Sequence, residues 1–585
     1  MYQLTNPAMH TLDGVVLPKG SDLVKTVTVD PFRAISDHFC ITIDLFLNKT
    51  KNKPKSITCR KFKDINVSDF KSDIKTALSD QIDKTTASYL NSTLETVLDK
   101  HAPAKTKKVT DRPFSEWYNL EVKAAKTDRR RKERIWRKTG LTVHKQIFIA
   151  ACRAVNNIID KTKETFFKNK LETVKTCKEL FSTVNFLFGK KSSPLPDASD
   201  FENANNFSEF FTDKINKIRA CLDNVKPPAP DFCTFSGIPL SNFEPCNEDE
   251  IKKIIIDSST KHCDLDPIPT ALLKNSLPEL LPYITFVIND SLLSGTVPCC
   301  YKNALVKPLI KKPGLDFNVL KNFRPVSNLP FLSKILEKVI LKRLLLHLEN
   351  NDLNEIFQSA YKKCHSTETA LLKVYNDILC DLDKKHVTLQ SLLDLSAAFD
   401  TLDHGILLKR LELSFGIKGS ALAWFESYLV NRKQSVQINQ SFSDSSLLIY
   451  GIPQGSVLGP ILFSLYTTPL SNIFCKYNMK YHLYADDSQL YKNSLYSDLN
   501  SVIRQTELCI EDTKVWMDSN KLKLNDDKTE LILFKNKFQI KDHVDMSLSI
   551  NGCDIVTSCK VKNLGIIFDE DLSLTPHVNY VYKSI

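Results

Sequence analysis

The chain has 585 residues, with 79 Lys and Arg against 68 Asp and Glu and a formal net charge of +11. That length allows roughly two to four structural units with an ample core. Its sixteen cysteines show no C-x-x-C spacing or paired framework and no signal peptide is read, so reduced thiols are expected. Apolar runs such as 278–287 are too short and interrupted to span a bilayer, so no membrane partner is expected. The expected location is intracellular, in the nucleus, the cytoplasm or both.

Taken in chain order, the stretch from about 50 to 240 reads as helical and basic. Residues 101–140 hold 13 Lys or Arg and 5 Asp or Glu, a net of +8 within the chain's +11. The densest run contains Arg129, Arg130, Arg131, Lys132, Arg134, Arg137 and Lys138. A run of this kind is either a solvated helix face or a phosphate-binding helix on RNA, whose affinity comes from counterion release and falls steeply with salt. Trp117 and Trp136 either stack on bases or pack on neighbouring helices. A nuclear-targeting role for Arg129 to Lys132 is a further reading of the same charges. Proline-rich punctuation at 192–196 and 227–230 marks linkers.

Further along, 388–395 is apolar except for Gln390 and Ser391 and has the length of a strand. Asp394 then falls at the end of a buried strand, where a charge is costly unless paired or bound to metal. An Asp capping the helix expected near Ser396 is the alternative. Next comes the loop Gly451-Ile452-Pro453-Gln454-Gly455-Ser456-Val457-Leu458-Gly459-Pro460, before an apolar helical run. Its glycines let backbone approach a nucleotide closely, and Gln454 offers both a donor and an acceptor. A plain helix-entry loop is the other reading.

Two aromatic-rich segments, 481–485 and 488–491, read as strands of a tight hairpin around Asp486-Asp487. Neighbouring side chains on a strand point to opposite faces, whereas at a turn both carboxylates can converge on a cation. An exposed Asp-Asp turn is the alternative. Hard cations prefer carboxylate oxygens, so Asp394, Asp486 and Asp487 suffice to hold a pair of Mg²⁺ ions.

With these blocks stand Leu305 to Gly314, Lys321 to Ser327, Gln358 to Tyr361, His365 to Leu371, Lys521 to Glu530 and Lys562 to Ile566. Together, in this order, the chain from Asn247 onward resembles the reverse transcriptases of non-long-terminal-repeat (LINE-type, jockey-like) retrotransposons. The resemblance implies an α+β right-hand polymerase of fingers, palm and partial thumb, with an antiparallel palm sheet backed by helices. A mainly α-helical region and a short β fragment precede it. The implied division is 1–48, 49–240, 241–540 (fingers and palm) and 541–585 (primer grip and incomplete thumb).

The same resemblance implies residue roles. Asp394, Asp486 and Asp487 are the catalytic, metal-binding carboxylates, and Lys528 is the candidate proton donor to pyrophosphate, with an exposed surface lysine as the alternative. Arg324 and one of Lys311 or Lys312 hold the triphosphate. Leu395, Gln454 and Gly455 line the nucleotide, and Phe399 bars a 2′-hydroxyl or simply packs in the core. The Leu564-Gly565 segment resembles the primer grip. Ala360-Tyr361-Lys362 and Ser488 depart from the pattern of many relatives without removing a metal ligand.

Around His10 to Leu17 and Ser36 to Leu45 the chain resembles the last two strands of an apurinic-type endonuclease, with Asp37 and His38 as the acid-base step and Asp13 as its orienter. So little of that fold is expected that no nuclease activity is, and the primer nick must come from elsewhere. The implied activity is RNA-directed DNA polymerisation with two Mg²⁺ ions (Mn²⁺ the substitute), an RNA template, a DNA primer and deoxynucleoside triphosphates. A catalytically impaired RNA-binding remnant is the competing reading. An RNA-directed RNA polymerase is disfavoured by Tyr484-Ala485 and Phe399. The oligomeric state is not legible.

Overall fold

The computed structural model describes residues 24–30, 40–45 and 55–584, apart from 80–81, 83–84, 110–115, 175–178, 181–182, 185–194, 196–198, 225–226, 313, 526–527, 537–545 and 551–552. Contacts divide the chain into two compact units, one of residues 1–59 and 104–187, the other of 60–103 and 188–585.

The smaller unit contains the antiparallel pair β1 (Val24–Asp30) and β2 (Cys40–Leu45), and a strand β3 (Lys55–Cys59). The chain then contributes two helices, α1 (Val67–Leu78) and α2 (Ala87–His101), to the larger unit. It returns as β4 (Lys105–Val109), which pairs with β3, and a helical hairpin of α3 (Leu120–Thr139) and α4 (Thr142–Glu172). Local chemistry sets the bounds of α3. The Asn119 side chain accepts from Val122 N–H at its start, and Gly140 adopts the left-handed conformation at its end. Trp136 stacks on Phe148 across the hairpin at 5.4 Å, and Lys163 lies 5.0 Å over the Trp117 ring.

In the larger unit, α5 (Asp200–Asn224), α6 (Glu248–Asp257), α7 (Thr270–Asn275) and α8 (Leu277–Ser294) lead into β5 (Asn303–Ile310) and β6 (Phe323–Asn328). Helices α9 (Phe331–Asn350) and α10 (Thr367–Asp383) follow, then β7 (Val387–Leu393). After it come α11 (Ala398–Thr401), α12 (His404–Leu413), α13 (Gly419–Leu429), β8 (Arg432–Ile438), β9 (Ser441–Phe442) and β10 (Ser446–Leu448). The helices α14 (Gly459–Thr467) and α15 (Leu470–Lys476) precede β11 (Lys480–Tyr484) and β12 (Asp487–Ser494). The last elements are α16 (Leu499–Ser519), β13 (Glu530–Phe534), the hairpins β14 (Ser547–Ile550)–β15 (Cys553–Val556) and β16 (Lys560–Asn563)–β17 (Ile566–Asp569), and α17 (Thr575–Ser584).

Two sheets organise this unit. The first has the order β11-β12-β7-β13, antiparallel throughout. Its strands alternate between two cores with the period of two that a pleat imposes. Leu531, Leu533 and Leu490 face the main core with Ile510 and Met517 of α16, whereas Ile532, Phe534 and Tyr491 face Val374 and Ile378 of α10. That burial on both faces explains why β7 reads as an almost unbroken apolar run. Of its polar exceptions, Gln390 is fully buried and donates to Gln489 Oε1, which also accepts from Asn563 at 2.7 Å.

The second sheet has the order β10-β8-β5-β6, with β5 parallel to β8 and antiparallel to β6. Helix α5 covers it through Ala204, Phe207 and Phe211, packed on Val306, Phe323, Val436 and Ile438. Helices α1 and α2 bury Phe70, Ile74, Leu90 and Leu94 in the core that also holds Leu280 and Ile284. The region expected as one stretch over 49–240 is thus divided, and 60–103 and 188–240 count with the larger unit. Amphipathic periodicity reveals that a helix has an apolar face but not what covers it.

Candidate active site

Strand pairing brings the three aspartates to one end of the first sheet. Tyr484 pairs with Asp487, so Ala485 and Asp486 form a two-residue turn, and Ala485 takes φ +57°. A positive φ at the first central residue is the signature of hairpin turns that match strand twist. On the neighbouring side Ser488 pairs with Leu393, the last residue of β7. Asp487 and Asp394 are therefore the next facing positions beyond that pair, although 93 places apart in sequence.

The capping alternative for Asp394 does not hold. Helix α11 starts at Ala398, and its N-cap is Ala397, itself at φ +53°. Asp394 is instead held by the segment before β13. Asn525 Nδ2 donates to Asp394 Oδ2 at 3.0 Å, Asn525 N–H donates to the Asp394 carbonyl at 2.9 Å, and Lys528 Nζ donates to Oδ2 at 2.8 Å. The Lys528 side chain remains 66% exposed, so it is both a surface lysine and the counter-charge of Asp394. Asn525 lies within the Lys521 to Glu530 block, and its contact with Asp394 is visible only across the fold.

A second support was equally hidden. The strand-like stretch 357–359 runs beside β11, with Leu483 N–H donating to Phe357 O at 2.8 Å and Ser359 N–H to Leu483 O at 3.0 Å. This places the Gln358 side chain beneath the aspartate turn, where its Oε1 accepts from Ala485 N–H at 3.2 Å and Ala360 N–H at 2.9 Å.

The electrostatics are those of crowded acids. Burial raises the Asp486 carboxyl above the usual range, and Asp394 adds to the rise. Asp487 opens to solvent at one side, yet the surrounding protein, with Asp486 and Asp394, pushes it up to about 6. Lys528 opposes both shifts.

No group of three His, Cys, Asp or Glu side chains among the described residues is already disposed around one point as metal ligands. The donors nevertheless fit a hard divalent ion by type and adjacency: three carboxylates at one sheet end, of which Asp486 and Asp487 have pKa values raised by burial, a shift that a bound cation would reverse. Asp394 Oδ2 is shared by Lys528 and Asn525.

The loop at 451–459 joins the two sheets. Gly451 N–H donates to Leu402 O and Ile452 N–H to Phe399 O, while Ser327 N–H of β6 donates to Gln454 O at 2.8 Å. This last contact explains Gly455. Its φ is +120°, and a Cβ there would lie 2.5 Å from the Ser327 carbonyl oxygen. Beneath the loop, fully buried Glu337 accepts from Val457 N–H at 2.6 Å and Leu458 N–H at 3.1 Å. Burial raises its carboxyl, and buried Arg432 opposes the rise.

Gln454, Lys311, Arg324, Ala397 and Asp400 line a cleft of about 340 Å³ together with residues of α5. Of the two candidate lysines, Lys311 lines this cleft with Arg324; Lys312 is exposed and is not among the lining residues. Lys311 Nζ donates to Lys321 O at 2.8 Å, and its pKa is lowered by burial and by Lys214, Lys528 and Arg324. Phe399 is half-buried, and its ring lies 4.7 Å from that of Phe463. The Leu395 side chain is buried in the core, its backbone bridged to Leu524, which leaves only main-chain atoms to meet a ligand.

Leu564 (φ +43°) and Gly565 (φ +97°) form the two-residue turn of the β16–β17 hairpin, the pairing of positive dihedrals that a type I′ turn demands. In the smaller unit, Arg130, Arg131, Arg134, Arg137 and Lys138 are exposed on α3, whereas Arg129 and Lys132 are half-buried. Both tryptophans of this unit have ring or cation partners within it, as the packing alternative expects. Asp13, Asp37 and His38 lie outside the described residues.

Residues 310–568 match the family described as reverse transcriptase (RNA-dependent DNA polymerase). Among curated proteins, the chain is 27% identical over 345 residues to a probable RNA-directed DNA polymerase from transposon X-element of Drosophila melanogaster, covering 58% of this chain and 37% of that protein. It is 28% identical over 353 residues to the RNA-directed DNA polymerase from mobile element jockey of Drosophila funebris, with the same two coverages. Against a probable RNA-directed DNA polymerase from transposon BS of Drosophila melanogaster the identity is 25% over 456 residues, 73% of this chain and 48% of that protein. The chain thus spans less than half the length of these relatives.

Proposed function

We propose that this chain, whose residues 310–568 belong to the reverse transcriptase family, is an RNA-directed DNA polymerase of a non-long-terminal-repeat retrotransposon. The observation that carries the reading is the strand pairing that sets Asp394 beside the Asp486-Asp487 turn. In this reading the β11-β12-β7-β13 sheet is the palm and the β10-β8-β5-β6 sheet belongs to the fingers. The β16–β17 hairpin is the primer grip that leads toward the thumb.

Asp394, Asp486 and Asp487 would hold the Mg²⁺ ions, or Mn²⁺ in their place, which supply Lewis-acid activation of a 3′-hydroxyl and neutralise phosphate charge. The chain's own residues do the rest. Gln358 and Asn525 fix the carboxylates from opposite sides of the sheet end. Lys311 and Arg324 face the cleft as a point charge and a guanidinium fork suited to a triphosphate. Gly455 lets backbone approach the bound nucleotide, and Gln454 presents an amide to base or sugar. Lys528, once released from Asp394, would give a proton to departing pyrophosphate. Phe399 stands as the ring that bars a ribose 2′-hydroxyl. The template is RNA, the primer DNA with a free 3′-hydroxyl, and the α3 cations add a salt-sensitive grip on RNA. Nucleus and cytoplasm are the compartments we assign. Among the described residues no helix is long and apolar enough to cross a membrane.

Extension of oligo(dT) on poly(rA) tests this. Wild-type protein with Mg²⁺ should incorporate deoxynucleotides, and Asp486→Ala should abolish incorporation. Equal behaviour of the two proteins would instead support an RNA-binding remnant, the reading left if the carboxylates do no chemistry.

A further inference from the structure

Helix α5 lies upstream of the matched residues 310–568, yet it forms one wall of the cleft that holds Lys311 and Arg324. Several contacts anchor it there. Phe207 meets Phe323 of β6 edge-on at 4.9 Å. Arg219, almost fully buried, donates to Asp403 Oδ2 at 2.8 Å and lies 4.2 Å over the Tyr450 ring. Near the helix end, Lys521 Nζ donates to Asp223 Oδ1 at 2.7 Å. The helix is therefore fixed both to the second sheet and to the segments around the loop at 451–459.

From the cleft-facing side of this helix, Lys214 enters with Phe210, Phe211 and Ile215. Its ammonium is close enough to depress the pKa of Lys311 and to oppose the burial-driven rise of Asp400. Lys214, Lys311 and Arg324 thus share one pocket, with Asp400 as the carboxylate lining it. Three cations in one cleft repel each other, and the ligand that relieves them is a polyanion.

We propose that Lys214 is a third triphosphate-binding cation, so that α5 completes the nucleotide pocket and residues 310–568 alone lack one of its walls. The ligand class is a nucleoside triphosphate, and the inference rests on the polymerase reading above. Lys214 is exposed, so its replacement leaves the packing of α5 on Phe207, Phe211 and Arg219 intact.

Full-length wild type, Lys214→Ala and Lys214→Arg are compared in two measurements with Mg²⁺. The first is titration with a fluorescent deoxythymidine triphosphate analogue in the absence of primer, which reads binding without turnover. The second is oligo(dT) extension on poly(rA) as a function of deoxythymidine triphosphate, with anisotropy of the labelled duplex as control. Lys214→Ala should weaken analogue binding and raise KM for the triphosphate, each by about tenfold, the scale of one charge-assisted contact. Duplex affinity should be unchanged, and Lys214→Arg should recover most of the loss. Analogue binding and KM within twofold of wild type in Lys214→Ala would overturn the assignment. Wild type that binds the analogue but extends no primer would overturn the polymerase reading alone, leaving the Lys214 contact to be decided by the titration. Wild type that binds no analogue would overturn both.

Discussion

At Asp487 the requirements of folding and of chemistry oppose each other. Its carboxyl is pushed up to about 6 by its surroundings, chiefly desolvation and then its two acidic neighbours. An acid raised in the folded state binds more protons there than when unfolded, so it lowers stability as pH rises from about 4 to about 6. Asp487→Asn is therefore expected to melt above wild type at pH 7 in a chelator, with the gap closing toward pH 4, while primer extension is lost. Parallel thermal scans at the two pH values check this; a variant that melts lower than wild type at pH 7 would show that Asp487 is not strained. The three aspartates were legible in the sequence because each sits in a short block of unusual chemistry. Gln358 and Asn525 were not, since their roles come from strand pairing across more than a hundred positions and ordinary amides carry no local signature.

At the scale of elements, the loop at 451–459 is a joint between two sheets, and its sequence shows the glycines but not what they must clear. Gly455→Ala places a methyl group 2.5 Å from the Ser327 carbonyl in a conformation alanine avoids. Loss of about 2 kcal/mol or more is expected in urea denaturation. Glu337 supports the same loop from beneath by two backbone hydrogen bonds, with Arg432 buried nearby. Glu337→Ala leaves both backbone donors without their acceptor and strips Arg432 of its counter-charge, a change expected to cost about 3 kcal/mol. An unchanged denaturation midpoint would remove Glu337 from the support of the loop. The β11–β12 hairpin and β7 were readable because period-two and unbroken apolar patterns have one simple structural solution each. The helix expected near Ser396 begins two residues later and is only four residues long, since Ala397 takes a left-handed conformation before it. Nothing in an alanine announces that.

For the molecule as a whole, positive charge is densest in the 101–140 segment, which holds 13 Lys or Arg and 5 Asp or Glu. Arg130, Arg134 and Lys138 are exposed on α3, and counterion release makes each phosphate contact visible in salt dependence. Their combined replacement by alanine should weaken single-stranded RNA binding with little regard to sequence. It should also flatten the plot of log affinity against log salt by about 2. An unaltered slope would leave these residues as a solvated face. The division of 60–240 between two units was illegible for a related reason: charge and periodicity report faces, whereas partners such as Phe323 for Phe207 are set by the assembled core.

The most direct measurement is the rate of deoxythymidine triphosphate incorporation by wild type, Asp394→Asn, Asp486→Asn and the double variant, on poly(rA)/oligo(dT) with Mg²⁺. Residues acting as one centre lose nearly as much singly as together, so each single variant should fall by roughly three orders of magnitude and the double variant hardly further. Independent, multiplying losses, or a single variant that retains wild-type rate, would contradict a shared centre of Asp394 with the Asp486-Asp487 turn.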